Sequence, residues 1–315
     1  MADGAGTAGA AAKAAAPGGA SPAVSVRRDD VLFDGDDVKL HGWLYRPAGD
    51  AASPRPAIVL AHGFSAVMEM GLDAYARAFA EAGFVCLAYD HRGYGRSGGW
   101  PRLETNPWLQ VEDTRAAISF VRTLPGVDAA RIGLWGTSYS GGHALTVAAL
   151  DRRVVCVVSQ VPLVSGSRTF DSWVPADRRE RFMKRLADDR DARARGVPPG
   201  LTPAGVPGSE TEEWARAVDP AGTVYPNAVT LRSLELMRAY EPIAFVARIA
   251  PTPLLMIVAD RDVQTPVAWQ LEAFELAAEP KQLVTLPGRH YDPYMGQLAA
   301  STAAAREWFV AHLGP

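Results

Sequence analysis

Short, continuous apolar runs alternate along this chain with segments of helical periodicity. PAIVLAHG and FVCLAYDHRG are two such runs, and the helical segment LDAYARAFAEAG, which ends on Gly83, separates them. An apolar run of this length is typical of a strand that is buried on both faces of a sheet. Strand and helix alternation predicts a parallel sheet with helices on both faces. The predicted fold class is therefore α/β.

The alternation stops between residues 165 and 248 and then resumes. This segment is called the insertion below. It contains a charged stretch with helical periodicity, a Pro/Gly-rich link and two further helical stretches, and it contains no clear strand. It is too long for an ordinary loop. We expect a helical cap on an α/β core formed by residues 26–164 and 249–315. At the start of the core, Val31–Pro47 alternates apolar and polar residues, which predicts an antiparallel hairpin around Asp34-Gly35.

Composition excludes several classes of function. The formal net charge of −3 gives no argument for a nucleic-acid or membrane partner. The two cysteines, Cys86 and Cys156, lie inside apolar runs, so we expect free buried thiols, with neither a disulfide framework nor a metal site. Residues 1–25 are rich in Ala and Gly and are expected to be disordered. They lack the pattern of a secretory signal, so a cytoplasmic location is expected.

The stretch RIGLWGTSYSGGHAL, Arg131 to Leu145, places Ser138 between a buried strand and a helix. A nucleophilic serine on such a turn stands clear of the backbone, and the turn requires small residues two positions before and after it. Gly136 and Ser140 meet this requirement. The Tyr139 amide would point to the same space at the start of the helix, where N–H groups are unpaired.

A serine nucleophile needs a base and an acid that orients the base. Asp262 follows the strand PLLMIVAD, and His290 follows the next strand, KQLVTLPG. Ser138, Asp262 and His290 therefore come in the order serine, acid, histidine, each just past the end of a different strand. Asp260 is the alternative acid, although it lies closer to the strand itself.

A second main-chain N–H is needed to bind the oxyanion of an acyl-transfer reaction. The segment AHGFSAV ends a strand with a His-Gly turn, which could present the Phe64 amide above Ser138. A plain β-turn explains this stretch equally well. The glycine-rich segment Tyr89–Gly99 lacks the spacing of a dinucleotide-binding loop and is expected to form the rim of a pocket. No cofactor is expected.

The segments AHGF, YDHRGYGRSGG, GTSYSGG, ADRDVQTP and PGRHYDPY resemble, in their order, the signature segments of the α/β-hydrolase superfamily. The resemblance spans the chain from about Val31 to its C-terminal end. It is greatest to the dienelactone-hydrolase-like and Xaa-Pro-peptidase-like esterases, including the polyketide transferase branch. Ser140 departs from the commoner G-x-S-x-G pattern, which has glycine there, but serine is small enough for the turn.

The resemblance implies a serine hydrolase that acts on an ester, thioester or amide of a small or mid-sized acyl compound. Ser138 would attack the carbonyl, His290 would transfer the proton, Asp262 would hold the imidazolium, and the Phe64 and Tyr139 amides would bind the oxyanion. An acyltransferase would use the same acyl-enzyme with an alcohol or amine acceptor. A non-catalytic binding protein on this fold is a third possibility.

The substrate is left open by the sequence. Aromatic residues of the insertion either line an acyl pocket or form the insertion's own core: Phe170, Trp173, Phe182, Trp214 and Tyr225. An Xaa-Pro peptidase would need an acidic anchor for a substrate amine, for which Glu69 and Asp171 are the candidates. No pattern indicates an oligomeric state.

Overall fold

A central sheet of eight strands organises this computed structural model, which describes residues 25–49 and 53–315. The predicted disordered tail lies outside the described residues, except for its last residue. Within the described ranges the strands are β1 (Val26–Gly35), β2 (Val38–Pro47), β3 (Arg55–Ala61), β4 (Val85–Tyr89), β5 (Val127–Thr137), β6 (Val154–Gln160), β7 (Leu201–Thr202), β8 (Val229–Thr230), β9 (Leu254–Ala259) and β10 (Lys281–Leu286).

The eight strands follow the order β1-β2-β4-β3-β5-β6-β9-β10. The pairs from β4 to β10 are parallel, whereas β1 and β2 pair antiparallel and β2 joins β4 antiparallel. The sheet is thus mostly parallel, as predicted. Gly35 pairs with Val38, so the hairpin turns at Asp36-Asp37. The predicted antiparallel hairpin is present, but its turn lies two residues later than expected because Asp34 and Gly35 still belong to the ladder.

Helices cover both faces of the sheet. The α-helices of the described ranges are α1 (Leu72–Glu81), α2 (Pro107–Thr123), α3 (Tyr139–Leu150), α4 (Gly166–Trp173), α5 (Ala176–Ala194), α6 (Glu210–Val218), α7 (Leu231–Arg238), α8 (Val267–Leu276) and α9 (Leu298–Leu313). On β3, Ile58 packs in the cluster that contains residues of α1 and α9, and its neighbour Val59 packs in the cluster of α2 and α3. Alternate burial on two faces explains why this strand is apolar at every position.

The insertion lies between β6 and β9, which are adjacent in the sheet. It contains α4 to α7 and a small antiparallel pair, β7 with β8. The sequence shows no clear strand in the insertion because β7 and β8 are two residues long, too short to leave an alternating pattern. The helix α4 was also not predicted from the sequence, and it begins where the Ser165 side chain accepts a hydrogen bond from the Arg168 amide at 3.3 Å.

Two further observations concern the chain as a whole. Cys86 and Cys156 are both buried and free. Among the helices of the described residues, none has the length and apolar composition needed to cross a bilayer.

Candidate active site

Ser138 lies at a sharp turn between β5 and α3, with φ of 54° and ψ of −117°. A positive φ is strained for a residue with a Cβ and persists only where the surroundings impose it. Close packing around the turn imposes it here. A Cβ built at Gly63 would meet the Ser138 Cβ at 3.0 Å, so the loop after β3 lies directly against the serine.

The predicted serine, histidine and aspartate side chains meet at the carboxyl ends of three strands. The Ser138 Oγ lies 3.0 Å from the His290 Nε2. The His290 Nδ1 lies 2.8 Å from the Asp262 Oδ2. Both His290 and Asp262 are buried. β5, β9 and β10 run parallel, so the loops that follow them meet at one edge of the sheet, which explains how distant residues come together.

The Asp262 carboxylate is surrounded by hydrogen-bond donors. Its Oδ1 accepts from the amides of Gln264 at 2.9 Å and Thr265 at 3.0 Å, and its Oδ2 accepts from the side chains of Thr265 and Gln270, each at 2.9 Å. Burial alone would raise the pKa of Asp262, but the neighbouring His290 and these hydrogen bonds outweigh burial and hold the pKa below its ordinary value. The carboxylate is therefore ionised at neutral pH.

Asp260, the alternative acid, is placed elsewhere. Its Oδ1 accepts a hydrogen bond from the Gly288 amide at 2.8 Å, which ties the end of β9 to the loop after β10. Its side chain is exposed and contacts Arg261, and the His290 Nδ1 bonds to Asp262 instead.

Thr265 and Gln270 were not predicted from the sequence. The Thr265 hydroxyl lies 2.9 Å from Asp262 and 3.2 Å from the His290 Nδ1, and Gln270 reaches Asp262 from α8. A threonine three residues after an aspartate in a strand-terminal loop is a recognisable turn signal. Gln270 leaves no such signal, because only the docking of α8 brings it to the site.

The two predicted oxyanion donors flank the serine. Tyr139 is the first residue of α3, so its N–H has no acceptor within the helix. The Gly63 carbonyl accepts from the Ala66 amide at 3.3 Å, which closes a turn that contains Phe64. The loop after β3 is thus a β-turn that also packs on Ser138, so the two interpretations of AHGFSAV are compatible.

A cavity of about 410 Å³ opens above Ser138 and His290. Phe170, Trp173 and Trp214 of the insertion line it, as does Phe182. Tyr225 does not line the cavity; its hydroxyl lies 3.0 Å from the Ser65 Oγ. Among the described residues that line the cavity there is no Asp, Glu, Lys or Arg.

The acidic anchors considered for a substrate amine are not in the cavity wall. Neither Glu69 nor Asp171 lines it. Asp171 is exposed and lies 3.7 Å from Arg179. The described residues therefore offer no carboxylate in the cavity wall to pair with the amino group of a peptide.

Two aromatic residues of the insertion also contact the loops that carry the site. The Trp173 indole N–H donates to the Gln264 carbonyl at 2.9 Å, two residues after Asp262. The Trp214 ring stacks on Tyr291 with centroids 4.9 Å apart and planes 18° apart, next to His290. The insertion thus supports the aspartate and histidine loops as well as the cavity wall.

Comparison with known proteins agrees with this architecture. The family model of X-Pro dipeptidyl-peptidase (S15 family) matches residues 34–292. The chain is 35% identical over 245 residues to the quorum-quenching protein AidA of Acinetobacter baumannii (strain MDR-ZJ06), covering 75% of this chain and 79% of that protein. It is 32% identical over 289 residues to a thiohydrolase of Eupenicillium brefeldianum, covering 87% of this chain and 91% of that protein.

A solved structure shares the same architecture. The chain superimposes on the α/β hydrolase GrgF from Penicillium sp. sh18 with a TM-score of 0.80 and 28% sequence identity, covering 92% of this chain and 100% of that one. The predicted α/β-hydrolase fold is confirmed. The chain belongs to the X-Pro dipeptidyl-peptidase (S15) family and is an enzyme of the α/β-hydrolase superfamily.

Proposed function

We propose that this enzyme is a serine hydrolase that forms an acyl-enzyme on Ser138 and cleaves an ester, thioester or amide of a small or mid-sized acyl compound. The observation that supports this most strongly is the unbroken chain of contacts from the Ser138 hydroxyl through His290 to Asp262. A base within hydrogen-bond reach of a nucleophile, itself oriented by an acid, is the arrangement that activates a serine.

In the proposed first step, the Ser138 Oγ attacks the substrate carbonyl while the His290 Nε2 takes the hydroxyl proton. The carbonyl oxygen becomes an oxyanion, which the amides of Phe64 and Tyr139 would bind. As the tetrahedral intermediate collapses, His290 returns the proton to the leaving alcohol, thiol or amine. Ionised Asp262 stabilises the imidazolium during both transfers.

Water would complete the cycle. With its proton taken by His290, water attacks the ester of Ser138, and the acid product leaves with Ser138 restored. In the alternative, acyl transfer, an alcohol or amine takes the place of water at this step. Both share the same acyl-enzyme, so only the products distinguish them.

The cavity supports an uncharged acyl group as the substrate. The described residues that line it include no Asp, Glu, Lys or Arg, and His290 would carry a charge only when it holds the proton from Ser138. Several aromatic rings contribute to the lining. We propose that Phe170, Trp173 and Trp214 contact the acyl group and that residues 165–248 act as the cap over it. The thiohydrolase relative makes a thioester a reasonable first substrate to test. The two free, buried cysteines are compatible with the reducing cytoplasm, which we propose as the location.

Intact-mass labelling with a fluorophosphonate tests the nucleophile. The wild type should gain one phosphonyl group, with loss of fluoride, and Ser138→Ala should gain none. The midpoint of urea denaturation of Ser138→Ala should equal that of the wild type, which shows that the variant is folded. Ser172→Ala is the matched control, because Ser172 lines the same cavity but lies outside the elbow and should keep the label. A folded wild type that takes no label, or a labelled Ser138→Ala, would contradict the proposal.

The products then distinguish hydrolysis from transfer. Nitrophenyl esters and thioesters of increasing acyl length should release acid and chromophore in equal amounts if water is the acceptor. An alcohol or amine is then added as a possible acceptor. Formation of its acylated product in place of the free acid would favour transfer.

A further inference from the structure

Buried hydrogen bonds on either side of His91, which are linked through the covalent bonds of that residue, join the loop after β3 to the helix that follows Ser138. The His62 Nδ1 lies 3.0 Å from the Gly63 carbonyl oxygen. The main-chain N–H of His91 donates to the His62 Nε2 at 3.3 Å. The ring Nε2 of His91 lies 3.0 Å from the Ser140 Oγ. All three side chains are at most 3% exposed.

The hydrogen bond from the main-chain N–H of His91 fixes the tautomer of His62. A main-chain N–H can only donate, so the His62 Nε2 must be the acceptor and its proton must be on Nδ1. That proton is donated to the Gly63 carbonyl. Burial lowers the pKa of both His62 and His91, so both rings are neutral at neutral pH and the tautomer is kept.

The Gly63 carbonyl and the Phe64 N–H belong to the same peptide group. A trans peptide is planar, with its carbonyl and N–H pointing in opposite directions. A hydrogen bond that fixes the direction of the Gly63 oxygen therefore also fixes the direction of the Phe64 N–H. This carbonyl accepts from both His62 and the Ala66 amide, so it is held from two sides.

Ser140 occupies the position where the commoner G-x-S-x-G pattern has glycine, and its hydroxyl has a defined partner. Among the described residues, Ser140 is the one hydrogen-bond partner of the His91 ring. The other nitrogen, Nδ1, is buried without a partner, and the Asp113 Oδ2 lies 4.0 Å from it. The ring also makes edge contacts with the rings of His62, Tyr89 and His143.

We propose that Ser140 and His91 are positioning residues that hold the Gly63–Phe64 peptide in the orientation in which it binds the oxyanion. This inference rests on the proposed function. Ser140 lies two residues after the nucleophile, and its neighbour Tyr139 carries the second proposed donor. These contacts from His62 through His91 to Ser140, called the relay below, therefore connect the Phe64 donor to the start of α3, where Ser138 and the Tyr139 donor lie. Its effect is expressed only when negative charge develops on the substrate oxygen.

The first test compares Ser140→Ala with the wild type on a nitrophenyl ester. Loss of a whole oxyanion donor costs about 100- to 1000-fold in kcat in other hydrolases. A misoriented donor should cost less, so we expect a roughly tenfold lower kcat with KM changed less than twofold. A boronic acid that mimics the tetrahedral intermediate should lose affinity by the same factor.

A double-mutant cycle separates this role from a general loss of packing. His91→Phe should reproduce the effect of Ser140→Ala, and the double variant should be no slower than either single variant. Ser159→Ala is the matched control, because its buried hydroxyl bonds to the Gly141 carbonyl on the same helix at 2.9 Å without touching His91. Ser159→Ala should lower the free energy of unfolding about as much as Ser140→Ala does, but it should leave kcat unchanged.

The outcomes are distinct. If the wild type accepts the fluorophosphonate but Ser140→Ala keeps full kcat and boronate affinity, the positioning role is wrong while the proposed function stands. Additive effects in the double variant would also overturn it. If the wild type neither labels nor turns over, the proposed function fails, and the positioning role fails with it.

Discussion

Gly136 lies so close to the carbonyl oxygen of Ser140 that a Cβ built on the glycine would come within 2.0 Å of that oxygen. Strand β5 and helix α3 cross at this point. The oxygen belongs to the backbone of the first helical turn, so it cannot move aside without displacing Ser138.

We therefore expect Gly136→Ala to lower the free energy of unfolding by at least about 3 kcal/mol, at the upper end of what overpacking usually costs. Urea denaturation measures this. Gly296→Ala is the control, since a Cβ there meets no atom within 4 Å, and it should change stability little. A Gly136→Ala variant as stable as the wild type would contradict the close approach.

The two candidate acids can be separated by activity. Asp262→Asn replaces an ionised partner of His290 with a neutral amide that can favour the wrong tautomer, so kcat should fall by about 10³- to 10⁴-fold. Asp260→Asn leaves that pair intact. Because the Asp260 side chain contacts the Gly288 amide and Arg261 rather than His290, kcat should fall less than tenfold. Steady-state kinetics on the nitrophenyl ester decides, and the reverse ranking would assign the acid to Asp260.

His143 should make stability depend on pH. It is fully buried, between the Tyr240 hydroxyl at 3.0 Å and the Gln110 side chain at 3.1 Å. Burial, with a smaller contribution from His62, lowers its pKa to about 3. The unfolded chain, with a histidine pKa of about 6.5, therefore binds more protons between these values. Stability must rise with pH in this window and be lost as pH falls through it.

His143→Gln removes this titration. The slope of unfolding free energy against pH, measured by urea denaturation between pH 4 and 6, should decrease by up to about 1.4 kcal/mol per pH unit. His62 and His91 shift in the same direction, so part of the slope remains. An unchanged slope would mean that His143 titrates normally.

Trp173 should affect long acyl groups more than short ones. Its ring lines the cavity and lies edge-on to Phe64, with centroids 5.6 Å apart. For Trp173→Ala we expect KM to rise about tenfold for a mid-length acyl ester, because roughly 1.4 kcal/mol of apolar contact is lost. The KM for an acetyl ester should change little. Trp100→Ala, at an 81% exposed position outside the cavity lining, is the control. Equal effects on both esters would remove Trp173 from the acyl site.

The sequence predicts the core of this protein well because its signals are local. A buried strand is apolar at every position, and the small residues around Ser138 are required by the crossing of β5 and α3. The placement of Asp262 and His290 after successive strands follows from the parallel topology. These features need no knowledge of how distant segments pack.

The missed features depend on packing between distant segments. Gln270 reaches Asp262 only after α8 docks, and the relay from His62 through His91 to Ser140 joins the loops after β3 and β4 to the first turn of α3. The pair β7 with β8 joins residues that are far apart in the chain. The sequence could not show which aromatic residues of the insertion line the cavity. Trp214 and Tyr225 both lie in its later part, but Trp214 lines the cavity whereas the Tyr225 hydroxyl contacts Ser65.

The attachment of the insertion has a consequence for how such enzymes diversify. Its two ends leave and re-enter the sheet on β6 and β9, which are hydrogen-bonded neighbours. A segment with adjacent ends can be lengthened, shortened or exchanged without altering the register of the strands, because the entropic cost of closing it grows only slowly with its length. The insertion's part of the cavity wall can therefore change as a unit while Ser138, His290 and Asp262 keep their places at the ends of their strands.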